Sequence, residues 1–213
     1  MIIGTFNGLN IVSLPCDTMP YVTAPSSIEI DPQEAVAVSV SPFTGQTQTY
    51  DWQASWWMGQ VSFLPMNRYA FNAWSAFILS CRGQSNVFSL GDPKLVLPLG
   101  LATGIPVVSG ASQTWYSLVT RGWTPSVTSI MLAGDLIQIG YRMYKLTAPA
   151  NSDGSGNATL SVWPNLRDKP ADGTTIQTRN CKCLFKLAHN SGNKWSTNPG
   201  SYGLTGFAVT EAI

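Results

Sequence analysis

Charge is the scarcest feature of this sequence. Only 11% of its 213 residues are Asp, Glu, Lys or Arg, against about 25% in an average globular chain. Residues 1–67 contain no basic residue, and all 12 Lys and Arg follow them, so the formal net charge of +1 hides an acidic first third and a basic remainder. Neither part holds a dense run of like charge, which disfavours nucleic acid as a partner. The asymmetry instead favours a ring in which an acidic surface of one copy meets a basic surface of the next.

Long apolar runs are also missing. No segment reaches the roughly 18 consecutive apolar residues that a membrane helix needs, and the start, MIIGTFNGLNIV, has no basic region before an apolar stretch. We therefore expect no secretory signal and no membrane insertion. The four cysteines are too few and too scattered for a disulfide framework. Cys181 and Cys183 project on one face of a strand beside Phe185 and Leu187 and are interpreted as small buried side chains, so we expect no metal site.

Catalytic residue types are sparse. His189 is the only histidine and lies in LAHNSGNKW, a turn-like segment where an exposed imidazole is the ordinary expectation. The chain has no G-x-S-x-G, no phosphate-binding loop and no dinucleotide fingerprint. The run NSDGSGN is interpreted as a hairpin turn, since it lacks the acid that closes a calcium loop. We expect no catalytic residue, no cofactor and no enzyme activity; a hydrolase using Asp51 or His189 is the weaker alternative.

Strand patterns dominate the remainder. AVAVSV at 35–40 alternates, and TYDWQASWWMGQVSFL at 49–64 places Tyr50, Trp52 and Trp56 on one face. A change of phase at Gly59 predicts a bulge. One helix is expected to start at Asn67 or Pro65, where the apolar stripe FxxWxxxIxxC would cover this aromatic face and Gly83 would supply a left-handed stop.

These patterns predict a mainly β protein. Residues 1–93 and 176–213 are expected to form a β-sandwich or sheet domain with one packed α-helix. Residues 94–175 begin with a Gly- and Pro-rich stretch and continue with short strands, which predicts a small inserted antiparallel β-barrel-like module.

Four residues are candidates for a subunit interface. Trp57 points away from Trp52 and Trp56, and a large apolar group on the solvent side of a sheet is typical of interfaces. Asp51 is one of the acidic residues in the part of the chain that has no basic residue. Lys182 and Lys186 form a short basic stripe on CKCLFKLA. The same aromatic strand also leaves a carbohydrate-binding module open as an alternative function.

Several runs carry a family resemblance. PFTGQTQTYDWQASWWMGQVSFLPMNRYAFNAWSAFILSCRGQSNVFSLGDP, followed by AGDLIQIGYRMYKL and NSDGSGNATLSVWPNLRDKPADG, resembles the minor tail proteins of tailed bacteriophages and prophages. In size and layout the chain is similar to distal tail proteins. The likeness covers about 35–190, and residues 1–30 lie outside it.

The resemblance implies a structural virion protein. Such a protein forms a homohexameric ring at the distal tail that joins the tail tube protein to the hub, baseplate or receptor-binding fibres during host attachment. Its expected location is the tail tip of the virion after synthesis in the host cytoplasm. It implies no catalytic residue, and another tail adaptor or connector is the alternative within the same class.

Overall fold

The chain is mainly β in a computed structural model that describes residues 1–191 and 194–213, which confirms the predicted fold class. The helices are α1 (Pro15–Thr18) and α2 (Arg68–Cys81). The strands are β1 (Ile2–Phe6), β2 (Leu9–Val12), β3 (Ser27–Val40), β4 (Thr47–Ser62), β5 (Val87–Leu90), β6 (Gly104–Val108), β7 (Trp115–Trp123), β8 (Leu136–Ile139), β9 (Arg142–Leu146), β10 (Ala158–Leu166), β11 (Ile176–Gln177), β12 (Cys183–Leu187), β13 (Trp195–Asn198), β14 (Ser201–Leu204) and β15 (Phe207–Glu211).

The chain divides into two compact units. The first comprises Met1–Asp31, Trp57–Asp92 and Lys182–Ile213, and the second comprises Pro32–Trp56 and Pro93–Cys181. The boundaries expected from the sequence kept residues 32–56 with the first domain, whereas compactness groups them with the second. Alternation along a strand shows which residues share a face but not which segments they pack against. The sequence pattern therefore does not indicate to which of the two units residues 32–56 belong.

Helix α2 is the expected helix. Asn67 caps its start, since the side-chain Oδ1 accepts the N–H of Ala70 at 2.9 Å. The helix ends at Cys81, and Arg82 takes the left-handed conformation with φ 49°. The sequence predicts the left-handed residue at Gly83, whereas the structure has it one residue earlier, at Arg82. Gly83 also has a positive φ.

The buried face of α2 packs on phenylalanines of the first unit. The ring centroid of Trp74 lies 4.6 Å from that of Phe63, and the ring of Phe77 lies 5.2 Å from that of Phe88. The ring centroid of Phe207 lies 6.4 Å from that of Trp74 and 6.1 Å from that of Phe77. The expectation that α2 covers the Tyr50 and Trp52 face of β4 is wrong, because both side chains are exposed.

Strand β4 alternates in the opposite sense to the prediction. Its buried positions are Ser55, Trp57, Gly59 and Val61, with no change of phase at Gly59. The irregular residue is Gln53, which has φ 57°. The hydrogen bonds Ser26–Ser62 and Ser41–Gln46 at the two ends of the β3–β4 pair enclose one more residue on β4 than on β3, as a bulge requires.

A seven-stranded sheet has the order β1-β2-β5-β12-β15-β4-β3. Most neighbours in it are antiparallel, while β2 and β5 run parallel. Strand β12 has buried residues on both faces, because Leu184 packs with Ile11, Val87 and Ala212 while Phe185 is buried on the other side. The expected division of β12 into one buried and one basic face is therefore wrong at Leu184.

The second unit contains a nearly closed six-stranded sheet in the order β11-β8-β9-β10-β7-β6. An antiparallel bridge between Val107 and Thr175 joins its two ends. Leu118, Ile137 and Leu160 are fully buried inside it. Strand β6 lies within the Gly- and Pro-rich stretch that begins the inserted module, and Met131 forms an isolated antiparallel bridge with Ala150.

Candidate assembly interface

The segment 34–53 forms an exposed β-hairpin, which we name the hairpin arm. It combines the β-branched residues of β3 with the Thr- and aromatic-rich start of β4, both of which suit extended backbone. The turn is held by two backbone hydrogen bonds, in which Ser41 O accepts the N–H of Gly45 and Gln46 O accepts the N–H of Ser41, each at 2.9 Å. Gly45 has φ 69°, a conformation that favours glycine.

Both faces of the hairpin arm carry exposed apolar side chains. Val36, Val38 and Val40 share one face of β3 because successive residues of a strand alternate. On β4, Tyr50 and Trp52 share a face and contact each other with centroids 4.8 Å apart; Trp52 is 64% exposed. An isolated two-stranded hairpin is at best marginally stable in water, so a surface of this kind is typical of a segment that binds a partner.

The base of the hairpin arm is attached to the rest of the second unit through polar contacts. The indole N–H of Trp163 donates to Oε1 of Glu34 at 2.6 Å. The side-chain amide of Asn165 donates to the carbonyl oxygen of Gln53 at 2.7 Å, next to the irregular residue of β4. These bonds hold the start of the arm, while the residues nearer its turn stay exposed.

The seven-stranded sheet ends in two edge strands, β1 and β3. Within the described residues, the outer edge of each has no strand partner. Ile2 and Ile3 of β1 are exposed, as are the three valines of β3. Soluble proteins usually protect a long edge with Lys, Pro or a bulge. Basic residues are missing from both of these strands, and β3 contains one proline, Pro32. Strand addition by another chain is therefore not blocked by positive charge at either edge, and no proline blocks it in the part of β3 that follows Pro32.

The four expected interface residues have different environments. Trp57 is only 4% exposed and therefore does not lie on the solvent side, contrary to the expectation; the extra residue near Gln53 reverses the alternation on which that inference depended. Asp51 is exposed on the hairpin arm, where its Oδ1 accepts the N–H of Gln53 at 2.7 Å. Lys182 lies 3.5 Å from Asp17, and Lys186 is half-buried on β12.

The structure also assigns these residues to different units. Trp57, Lys182 and Lys186 belong to the first and Asp51 to the second. An interface role for Asp51, Lys182 and Lys186 stays a prediction. The exposed valines of β3 were missed by sequence analysis, because strict alternation of apolar residues usually marks a buried face and carries no sign of whether that face is covered.

His189 and two of the cysteines are residue types that can carry chemistry in other proteins. His189 is exposed, as expected, and borders a recess of about 320 Å³ lined also by Gln60, Ser191, Thr205 and residues 206–208. Among the described residues of this lining there is no acid that could orient the imidazole. Burial raises the pKa of Cys81 and that of Cys181 to about 12, which makes both thiols poor nucleophiles.

Possible metal ligands are dispersed in residues 1–191 and 194–213. No three His, Cys, Asp or Glu side chains in these ranges are grouped so that they could hold an ion. Cys181 and Cys183 are buried, as the sequence predicts. In NSDGSGN the carboxylate of Asp153 accepts the N–H groups of Ser155 and Asn157, both at 2.8 Å, which organises the turn between β9 and β10.

No protein-family model matches the chain, and no curated protein sequence matches it either. Neither described helix has the length and apolar character needed to cross a membrane. The hairpin arm and the open sheet edges are exposed surfaces to which another chain could bind.

Proposed function

We propose that this chain is a non-enzymatic structural protein of a bacteriophage tail that assembles with copies of itself into a ring. The observation that carries the proposal is the hairpin arm, whose two faces expose Val38 and Trp52 together with their apolar neighbours. A heterologous contact between different surfaces of identical copies closes into a ring when the rotation permits. The phage context rests on the sequence resemblance, which implies a hexamer between the tail tube and the hub or receptor-binding proteins.

The open sheet edges support the same proposal. Strands β1 and β3 lie at opposite ends of one sheet, so each copy offers two different edges for pairing with its neighbours. Backbone hydrogen bonds across such a junction would satisfy the donors and acceptors that an edge otherwise leaves to water.

Mass photometry and light scattering of the purified chain test ring assembly. The wild type is expected to form a closed oligomer, with a six-fold ring in electron micrographs. Val38→Glu and Trp52→Glu each place a charge in an apolar contact and are expected to shift the population to monomer. Thr159→Glu makes the same kind of change at an exposed strand position of the second unit and should leave assembly unchanged.

Circular dichroism melting accompanies each variant, so that loss of fold is not mistaken for loss of assembly. A wild type that stays monomeric at high concentration, with no ring in micrographs, would sink the proposal. Assembly that survives both hairpin variants would remove the hairpin arm from the interface while leaving a ring possible through the sheet edges. A ring that forms only with tail tube protein present would favour an adaptor role.

Carbohydrate binding is the second candidate function. The exposed pair Tyr50 and Trp52 favours it, because aromatic faces stack on sugar rings. The two rings meet edge to face at 73°, however, and therefore do not form the flat platform that adjoining sugars would share. Calorimetric titration with bacterial surface oligosaccharides compares the wild type with Trp52→Ala; sugar affinity that this variant abolishes, in a chain that does not assemble, would favour the binding module.

A further inference from the structure

A second exposed apolar surface lies on the second unit. Residues 95–101 form an irregular segment, outside any strand or helix, whose leucines are exposed, and we name Leu95, Val96, Leu97, Leu99 and Leu101 the leucine strip. Leu99 is 78% exposed, the highest value among them. Four of its five members are leucine, and their side chains would lose contact with water if a partner covered the strip.

The leucine strip is held in place by backbone contacts. The buried carboxylate of Asp135 accepts the N–H of Leu99 at 2.7 Å and the N–H of Gly100 at 3.0 Å. Leu101 donates its N–H to the carbonyl oxygen of Ser129 at 3.2 Å. The exposed leucines are therefore presented by a fixed backbone, which lowers the entropy lost when a partner binds.

Three exposed basic residues lie near the leucine strip, and the half-buried Asp92 precedes it. Lys94 directly precedes it, and Arg179 adjoins Asn180, whose N–H donates to the carbonyl oxygen of Val96 at 2.7 Å. Lys145 pairs with Leu136, next to Asp135. All three basic side chains are exposed. The hairpin arm has the opposite character, because its only charged residues are Glu34 and Asp51.

We propose that the leucine strip of one copy binds the hairpin arm of a second copy. Both surfaces are apolar, and the basic residues near the leucine strip are opposite in charge to the acidic residues of the hairpin arm. This complementarity favours both affinity and choice of partner. Within one chain the arm does not cover the strip, since both are exposed although both belong to the second unit. The occupant is therefore another copy, and the contact is head to tail. This inference rests on the proposed self-assembly and names the surfaces that carry it.

Crosslinking between two tagged populations tests the pairing. Cys16 is the one cysteine that is not buried, so every variant carries Cys16→Ser. One population carries Val38→Cys and the other Leu99→Cys, and a short bis-maleimide joins them after mixing. Pairing raises the effective concentration of the two thiols to the millimolar range, so the mixed product is expected to exceed the control by about tenfold. The control replaces Leu99→Cys with Thr159→Cys.

Leu97→Cys serves as a second probe if Leu99→Cys fails to fold. A mixed product no greater than the control would overturn the inference, as would a Val38–Val38 product that dominates, since the arms would then pair with each other. A ring seen by mass photometry without the mixed product would leave the proposed function standing and refute only this contact. A chain that neither assembles nor crosslinks would refute both.

Discussion

The backbone N–H of Trp57 donates a hydrogen bond of 3.0 Å to Oε2 of Glu211, a residue 154 positions later in the sequence. Both residues are buried, Glu211 to 2% exposure. The bond lies beside the junction of β4 and β15, where Met58 pairs with Thr210. A carboxylate therefore sits among the buried residues of the first unit and ties the end of the chain to β4.

Loss of this acceptor should destabilise the fold. Glu211→Ala leaves the N–H of Trp57 without its acceptor, and an unsatisfied buried donor costs about 1–3 kcal/mol in the free energy of unfolding. Glu211→Gln keeps a carbonyl oxygen of similar reach and should lose less. The urea midpoints of the two variants, compared with that of the wild type, measure the difference. Equal midpoints for Ala and Gln would contradict the role given to the acceptor.

The helix was predictable from sequence, and the faces of β4 were not. An apolar stripe with a 3.6-residue period indicates a helix, and Asn67 before it indicates where the helix starts. With Asn67 as the cap and Gly83 as the stop, the predicted ends lie within two residues of those of α2. For β4 the alternation is equally clear, but one extra residue near Gln53 exchanges the two faces. The position of such a residue depends on hydrogen bonds to distant segments, here to Asn165, which a local pattern does not contain.

The candidate interface shows the same limit more strongly. Sequence analysis identified an aromatic strand and selected Trp57, the tryptophan that is buried, while Trp52 is the exposed one. The leucine strip was missed because its Gly- and Pro-rich surroundings are typical of a linker. The hydrogen bonds from Leu99 and Gly100 to Asp135 and from Leu101 to Ser129, which no local pattern contains, show that it has a fixed backbone.

Gly59 should tolerate no side chain. A Cβ at this position would meet the carbonyl oxygen of Glu29 and also approach Val209 at 3.4 Å. Gly59→Ala therefore forces a strand of the sheet to shift, at a cost of about 1–3 kcal/mol in the free energy of unfolding. Gly4→Ala is the matched control, since its Cβ would make only an ordinary contact of 3.6 Å with Ile11. Thermal melts of both variants check the prediction, and similar melting temperatures would contradict it.

Asp135→Ala should release the backbone of the leucine strip. The variant removes the acceptor for the N–H groups of Leu99, Gly100 and Leu132 together, and we expect a loss of about 3 kcal/mol in unfolding free energy. Hydrogen exchange should accelerate at these three amides. Asp153→Ala serves as the control, because it frees only the amides of an exposed turn. Unchanged exchange at Leu99 would contradict the assignment.

Assembly should weaken as salt is added. Residues 1–67 carry no basic side chain. The charged residues of the hairpin arm are acidic, whereas the exposed charged residues near the leucine strip, Lys94, Lys145 and Arg179, are basic. Contacts between exposed charges are screened over about 10 Å at 0.1 M salt and about 3 Å at 1 M. Mass photometry across this range should show that the oligomer dissociates at higher protein concentrations as salt rises. An oligomer indifferent to salt would leave the charge asymmetry without a role in assembly.

The carboxyl group of Asp172 should titrate at unusually low pH. Its Oδ1 accepts from Arg121 Nη1 at 2.6 Å and from the N–H of Gly110 at 2.7 Å. These hydrogen bonds, the one from Arg121 foremost, lower the pKa of Asp172 to about 2. Because the folded pKa lies below the unfolded value of about 3.9, the stabilisation is fully present above about pH 4 and is lost as pH falls towards 2.

Arg121→Gln separates the two causes of this shift. The pKa of Asp172 should rise in the variant but stay below its ordinary value, because Gly110 still donates. Carbon-detected nuclear magnetic resonance of the carboxyl group, followed from pH 1.5 to pH 6, measures the change. Asp153 provides the control in the same spectra, since hydrogen bonds from Asn157 and Ser155 lower its pKa without Arg121. A pKa of Asp172 that does not move in the variant would show that the Arg121 pair seen in the structure does not persist in solution.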